Sequence, residues 1–392
     1  MAVSLACPNW WEMLKAGQTP LPDLDLNLDR AREAVNVFNR LRLPDVPGQP
    51  TMGDAAADWF RDTVAVIFGT VNDDGRRWVR EFFELVPKKN SKTTKGSGIM
   101  VTALLVNRRP RAEFFLIGPT QQIADTSFRQ AAGMIETDPY LRKLLKVRDY
   151  DQSIEHMQTK ALLRIVSFDV KVMTGTKPVG VLVDELHVLG KNRHASRVIE
   201  QIRSGLNVNS EGFLIFITTQ SDEPPTGVFK TELEYARGIR DGEFDGDMLP
   251  ILYEFPLEVQ IGDDEAWKNP QIWHAVHPNL GKTRHIADLQ SEYEKAARKG
   301  VDDVSIWLSQ NLNIEIGIAF HKDRWRGVDF WLSAADPVPV TLASLLERCE
   351  VITAGVDGGG LDDLLGLSFI GRCKATKNYL MYCKAWAHPS VF

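Results

Sequence analysis

Between Trp78 and Phe255 the chain repeats one pattern: a short run of consecutive apolar residues, a polar turn, then apolar positions three and four apart. Runs of this kind fit strands buried on both faces, which need no polar alternation. They fall at Trp78 to Val86, Ala112 to Ile117, Leu163 to Ser167, Val179 to Val183, Gly212 to Ile217 and Pro250 to Phe255. Helical spacing occupies the gaps, as at Thr120 to Glu136 and Ala195 to Ser204. The alternation predicts an α/β fold, a doubly wound, mainly parallel sheet with helices on both faces. In such a sheet ligands bind at the carboxyl ends of the strands.

The flanks read differently. Residues 1–55 form an N-terminal helical arm with an amphipathic helix from Leu28 to Phe38, and a second helix is predicted from Ala55 to Phe68. Residues 56–256 hold the core. After Pro256, acidic loops (Asp263-Asp264-Glu265), isolated Trp and Pro residues and a charged helix from Ile286 to Lys299 read as a linker or lid subdomain over 257–349. Strand-like runs resume at Val351 to Asp357 and Leu365 to Ile370, around Gly358-Gly359-Gly360-Leu361-Asp362-Asp363. The segment 350–392 thus opens a further domain, and about forty residues are too few for a core of its own.

At 392 residues, 44% hydrophobic and 25% charged, the chain has the composition of a globular protein. No apolar run approaches membrane-spanning length and the first residues lack a secretory signal, so a cytosolic location is expected. Cys7, Cys349, Cys373 and Cys383 lie far apart without CxxC spacing, which argues against disulfides and a zinc site. The net charge of −6 excludes an overall basic coat but not a local nucleic-acid surface. Basic clusters stand at Arg76-Arg77-Arg80, Arg108-Arg109-Arg111 and Lys322-Arg324-Arg326.

Candidate chemistry centres on Phe82 to Gly98. An apolar strand leads into the basic turn Pro87-Lys88-Lys89-Asn90-Ser91-Lys92-Thr93-Thr94, and apolar character returns at Ile99-Met100-Val101. Strand, turn ending in Lys-Thr, then helix is the layout of a phosphate-binding loop: backbone N–H groups cradle phosphates, the lysine reaches the β/γ-phosphates and the hydroxyl ligates Mg²⁺. The pattern GxxxxGK[ST] is altered, with Val86 and Ser91 at its glycine positions and Lys92-Thr93 at its Lys-hydroxyl pair. Such a loop requires an acid at the end of another buried strand to hold the ion. Val179 to Val183 followed by Asp184-Glu185 supplies it, Asp184 for Mg²⁺ and Glu185 as the base. A third strand ends in Thr218-Thr219-Gln220, placed to sense the γ-phosphate.

With these motifs in place the sequence resembles the large terminase subunit of tailed bacteriophages, a motor that packages double-stranded DNA into a procapsid and cuts it. The resemblance rests on Pro87 to Thr93 as a divergent Walker A, Val183-Asp184-Glu185-Leu186-His187 as Walker B and Thr218-Thr219 as the coupling motif. Further matches are Phe68-Gly69, Asp74-Gly75-Arg76-Arg77, Trp267, Pro278-Asn279-Leu280-Gly281, Asn311-Leu312-Asn313 and Ala354-Gly355-Val356-Asp357. Where the family has a Trp-Gln pair before the core, this chain reads Trp59-Phe60.

The resemblance implies an ATP- and Mg²⁺-dependent P-loop ATPase, with Lys88 as the loop's second catalytic cation and an arginine finger for which Arg148 and Arg164 are candidates. It implies double-stranded DNA, a portal protein and a small terminase subunit as partners, a homo-oligomeric, pentameric ring on the procapsid, no membrane, and the host bacterial cytoplasm as location. It also implies that 350–392 begins a ribonuclease-H-like nuclease domain, with Asp357 as first ligand for Mg²⁺ or Mn²⁺ and Asp362 or Asp363 as weaker ones. One aspartate cannot clamp two metal ions, so an incomplete nuclease site is expected. Two alternatives remain: a nucleic-acid-dependent P-loop ATPase or helicase with no packaging role, and a degenerate, non-catalytic prophage remnant.

Overall fold

A computed structural model describes residues 4–168, 176–261, 265–317, 334, 336, 339–358 and 364–387. It divides into two units, Met1–Asp323 and Arg324–Phe392.

The first unit is built on an eight-stranded sheet of β1 (Glu81–Leu85), β2 (Glu113–Gly118), β3 (Leu145–Arg148), β4 (Ser153–His156), β5 (Leu162–Ser167), β6 (Gly180–Asp184), β7 (Phe213–Thr218) and β8 (Met248–Leu252), in the order β3-β4-β5-β2-β6-β7-β1-β8. All pairings from β5 to β8 are parallel, and only the β3–β4–β5 edge is antiparallel. This is the predicted doubly wound α/β sheet. Every residue of β6, β7 and β8 is buried, which explains why their sequences read as unbroken apolar runs. The helices Lys92–Val106 and Gln121–Glu136 pack against each other and on the sheet, and Ala195–Leu206 and Gly227–Asp241 form a second such pair.

Several elements differ from the sequence expectation, among them β8, expected at Pro250 to Phe255 and found at Met248–Leu252. The run from Trp78 forms a strand only from Glu81; just before it the Arg80 carbonyl accepts from the Leu214 N–H at 2.8 Å, and the Arg80 guanidinium donates to the Leu206 and Asn209 carbonyls. The helix predicted from Ala55 is two helices, Met52–Ala55 and Asp58–Gly69, since Ala56 and Ala57 are extended. The edge strands β3 and β4 have no counterpart in the pattern of apolar runs.

Past Phe255 the chain builds a small second core, in which Trp267, Trp273, Leu289, Trp307 and Leu312 are buried together. Its helices Ile286–Lys299 and Val301–Leu312 lie against one another. The second unit is an antiparallel sheet of β9 (Cys349–Asp357), β10 (Leu364–Cys373) and β11 (Tyr379–Ala387), with a helix Leu342–Arg348 closed at its start by a Thr341–Ser344 capping box. Asp263, Asp264, Lys322, Arg324, Arg326, Gly359, Gly360, Asp362 and Asp363 lie outside the described residues.

Candidate nucleotide-binding site

β7 lies between β1 and β6, with Leu85 opposite Thr218 and Asp184 opposite Ile217. The register brings the carboxyl ends of all three strands to one edge. There the chain leaves β1 through Val86, whose N–H donates to the Thr218 carbonyl at 3.0 Å, and enters the loop.

Lys89 and Ser91 both adopt left-handed backbone, with φ of 65° and 59°. Ser91 thus takes the conformation that a glycine adopts more readily, and it stands directly before the helix Lys92–Val106. Left-handed residues in a tight loop turn successive N–H groups toward one centre, the geometry of an anion nest at a helix N-terminus.

Four side chains converge above this loop. Lys92, 5% exposed, donates to the Thr219 hydroxyl, lies 3.4 Å from the Val86 carbonyl and stands 3.8 Å from Glu185 Oε1. The Thr93 hydroxyl donates to Asp184 Oδ2 at 3.2 Å. Burial, reinforced by the neighbouring Glu185, pushes the Asp184 carboxyl up to about 7 while Lys92 and Thr93 pull it down. A buried carboxylate of that kind is stabilised by a cation. Glu185 has a left-handed φ of 51°, and its Oε2 lies 3.3 Å from His187 Nδ1. Burial holds His187 neutral, below its ordinary value. A hydroxyl paired with a buried carboxylate beside a lysine fits a hard, oxygen-ligated cation such as Mg²⁺.

The remaining residues singled out in the sequence are placed as follows. The Pro87 carbonyl accepts from Asn90 Nδ2 at 3.0 Å. Lys88 is half-buried, Lys89 is exposed, 3.7 Å from Glu292, and Thr94 is half-buried on the helix. The Thr218 hydroxyl accepts from the His187 N–H at 3.0 Å, and the Thr219 hydroxyl donates to the Val86 carbonyl at 3.0 Å. Gln220 is buried, and its backbone N–H donates to Asn313 Oδ1 at 3.1 Å. Phe60 is buried against Phe38 and Trp59, so its ring faces the core. Arg148 pairs with Glu155 on β4, and Arg164 on β5 is 4.0 Å from Glu113.

Residues 58–238, which contain this whole constellation, match the family model for the terminase large subunit, ATPase domain. The segment belongs to the terminase ATPase family. The large terminase of bacteriophage HK97 shares the fold: 17% identity, a TM-score of 0.59, and coverage of 91% of this chain and 68% of that one. Further likenesses are to the large terminase of a thermophilic bacteriophage in complex with ADP, at 13% identity, TM-score 0.37 and coverage of 78% and 63%, and to the large terminase ATPase domain of Thermus phage P74-26, at 15%, 0.34, 51% and 89%. No curated protein matches the chain.

Around this site two groups carry weight that sequence reasoning missed. Lys95, one turn beyond Lys92, is fully buried, ion-paired to Glu84 of β1, 3.0 Å from the Thr63 hydroxyl, and 3.6 Å from the centre of the Trp59 ring. Burial depresses its ammonium to about 8. The second group ties the loop to the segment after the core. Asn279 donates its N–H to Asn90 Oδ1 at 3.1 Å and its Nδ2 to the Asn90 carbonyl at 2.9 Å, and its Oδ1 accepts from Trp59 Nε1 at 2.8 Å. His277 Nδ1 lies 3.2 Å from Asn90 Nδ2, and burial drives its pKa down to about 3. The neutral ring therefore accepts there. The Pro278-Asn279-Leu280-Gly281 motif was the available signal, but nothing local names Asn90 as its partner.

In the second unit, Asp357 is exposed at the end of β9, opposite Gly366. No group of three or more His, Cys, Asp or Glu placed to hold a metal ion occurs among the described residues. No helix among them is long and apolar enough to cross a membrane.

Proposed function

We propose that this chain is an ATP-hydrolysing motor that drives double-stranded DNA into a procapsid. The observation that carries the reading is the convergence, inside the terminase-matched segment, of Lys92 with Glu185 and of Thr93 with Asp184 at one sheet edge. The match to an ATPase-domain family supports an adenine nucleotide as the ligand. In this reading the loop from Pro87 to Thr94 cradles the phosphates, and Lys92, with Lys88, neutralises the β- and γ-oxygens. Thr93 and Asp184 would hold Mg²⁺, which when bound draws charge from those oxygens.

Glu185, beside His187, takes a proton from water as the water oxygen bonds to the γ-phosphorus and the bond to the β–γ bridging oxygen breaks, leaving ADP and phosphate. Thr219, which touches both Lys92 and Val86, reports the change to β7. Thr218 and Gln220 relay it to His187 and Asn313. An arginine from a neighbouring subunit would complete the charge stabilisation.

A homo-oligomeric ring, pentameric on the procapsid and docked to a portal protein, would grip DNA phosphates without reading bases. A small terminase subunit would deliver the DNA. Residues 350–392 would begin a nuclease domain around Asp357, with Mg²⁺ or Mn²⁺ there if other carboxylates complete the site. The test is turnover of Mg²⁺–ATP with and without linear duplex DNA. Turnover stimulated by the duplex is expected, and a parent protein that does not hydrolyse ATP in either condition refutes the reading.

A further inference from the structure

Beside the phosphate loop, outside the constellation above, lies a cavity of about 370 Å³ between the loop and the helices Ile286–Lys299 and Val301–Leu312. That is room for about a dozen waters. Its cationic side chains are Lys88, Lys89, Arg284, Lys295 and Lys299, and its carboxylates are Glu292 and Asp303. Glu292 is shared by Arg284 and Lys89, and Asp303 lies 3.3 Å from Lys299. Five cations against two carboxylates leave three positive charges in excess. Lys88 and Lys295 make no ion pair among the described residues.

Two further donors are unspent. Arg284 and Trp307, 5% and 6% exposed, line the same cavity, and neither Arg284 Nε nor Trp307 Nε1 has a hydrogen-bond partner among the described residues. Buried donors without acceptors are rare in folded proteins, and each is costly unless a ligand or water takes the bond. Both donors sit in the buried wall of the cavity, and the excess positive charge that lines it is the complement of an oxyanion.

Lys88 joins this cavity to the chemistry. Its N–H is fixed to the Gln310 carbonyl at 2.9 Å on the cavity wall, and its charge, with that of Lys92, acts on His187 beside Glu185. We propose that the cavity is a second oxyanion site that receives the free phosphate released by hydrolysis, with Lys295 and Arg284 taking it from Lys88. The ligand's origin rests on the ATPase reading; the site itself does not. A cleaved phosphate held there has left the attacking position, and it bears on the helix Val301–Leu312, which carries Gln310 and ends at Asn313, the residue that accepts from the Gln220 N–H.

The experiment titrates orthophosphate into the full chain by calorimetry, with and without saturating Mg²⁺–ADP, for the parent, Lys295→Gln, Arg284→Gln and Lys92→Ala, with folding of each checked by circular dichroism. The expected result is one phosphate bound in the presence of ADP, weakened tenfold or more by Lys295→Gln and changed less than threefold by Lys92→Ala. Equal binding by the parent and a folded Lys295→Gln overturns the proposal, as does phosphate binding abolished by Lys92→Ala. A duplex arm separates the sources: if Lys295→Gln weakens binding of a short DNA duplex but leaves orthophosphate binding unchanged, the cations serve the DNA backbone and the proposal fails. Because orthophosphate is added directly, a parent without ATPase turnover refutes the motor reading and leaves this result readable.

Discussion

Replacing Asn279 by alanine tests how firmly the phosphate loop is held by the segment after the core. The substitution keeps the backbone N–H bond to Asn90 Oδ1 and removes both side-chain bonds, leaving the Trp59 indole N–H and the Asn90 carbonyl without partners. Asn279 is 3% exposed and Trp59 4%, so water does not readily replace the lost amide. A buried polar group left unpaired costs about 1–3 kcal/mol, which puts the pair at about 2–6 kcal/mol. For a unit of this size each kcal/mol lowers Tm by about 2 °C, so a drop of about 4–12 °C is expected by calorimetry.

Asn90 belongs to the loop itself, so a loosened loop should also raise the KM for ATP about tenfold, or roughly 1.4 kcal/mol. The double variant with Asn90→Ala supplies the sharper test, because residues in direct contact are expected to couple by about 0.5–3 kcal/mol. An Asn279→Ala protein within about 1 kcal/mol of the parent, or strict additivity in the double variant, would refute the clamp.

Four other outcomes are expected. Glu185→Gln should keep ATP binding and lower turnover a hundredfold or more in a steady-state phosphate-release assay, and parent-like turnover would remove Glu185 as the base. Ser91→Gly should stabilise the chain by about 0.5–1 kcal/mol in urea unfolding: left-handed backbone costs a non-glycine residue about 1–2 kcal/mol, and glycine's extra unfolded freedom offsets about 0.5–1 of that. His277, held down to about 3 in the fold against an ordinary 6.5, contributes fully above pH 6.5. As pH falls below that the unfolded chain takes up the proton first, so stability drops by about 1.4 kcal/mol per pH unit, and His277→Gln should flatten that slope in Tm measured from pH 7.5 to 4.5. Supercoiled plasmid with Mn²⁺ should stay intact, because Asp357 alone cannot clamp two metal ions; nicking that vanishes in Asp357→Ala would show a working site.

The sheet was legible where burial on both faces removes polar alternation, as in Phe213 to Ile217, and there the observed strand agrees to within a residue. The edge pair was not. Leu145-Lys146-Val147-Arg148 and Ser153-Ile154-Glu155-His156 are four residues each with polar alternation, too short to stand out from turns. In the site, Lys92, Thr93, Asp184 and Glu185 could be read because their chemistry depends on position within a strand-end motif. Asn90 with Asn279 is a pairing across 189 residues, which no local pattern encodes. Lys95 was invisible for a different reason: a lysine on a helix reads as solvent-facing, and only the fold reveals Glu84 beneath it.

That buried lysine bears on where the fold beneath the loop can give way. Drawing Lys95 off Glu84 would strand a charge among the Trp59 and Phe60 rings, at a penalty of several kcal/mol. The first turns of Lys92–Val106, β1 and the helix Asp58–Gly69 are thereby riveted into one block directly under the loop. On the proposed motor reading, a push delivered at the phosphates would bypass that block and reach the hydrogen bonds at Asn279, Gln310 and Asn313, the joints where a stroke would begin.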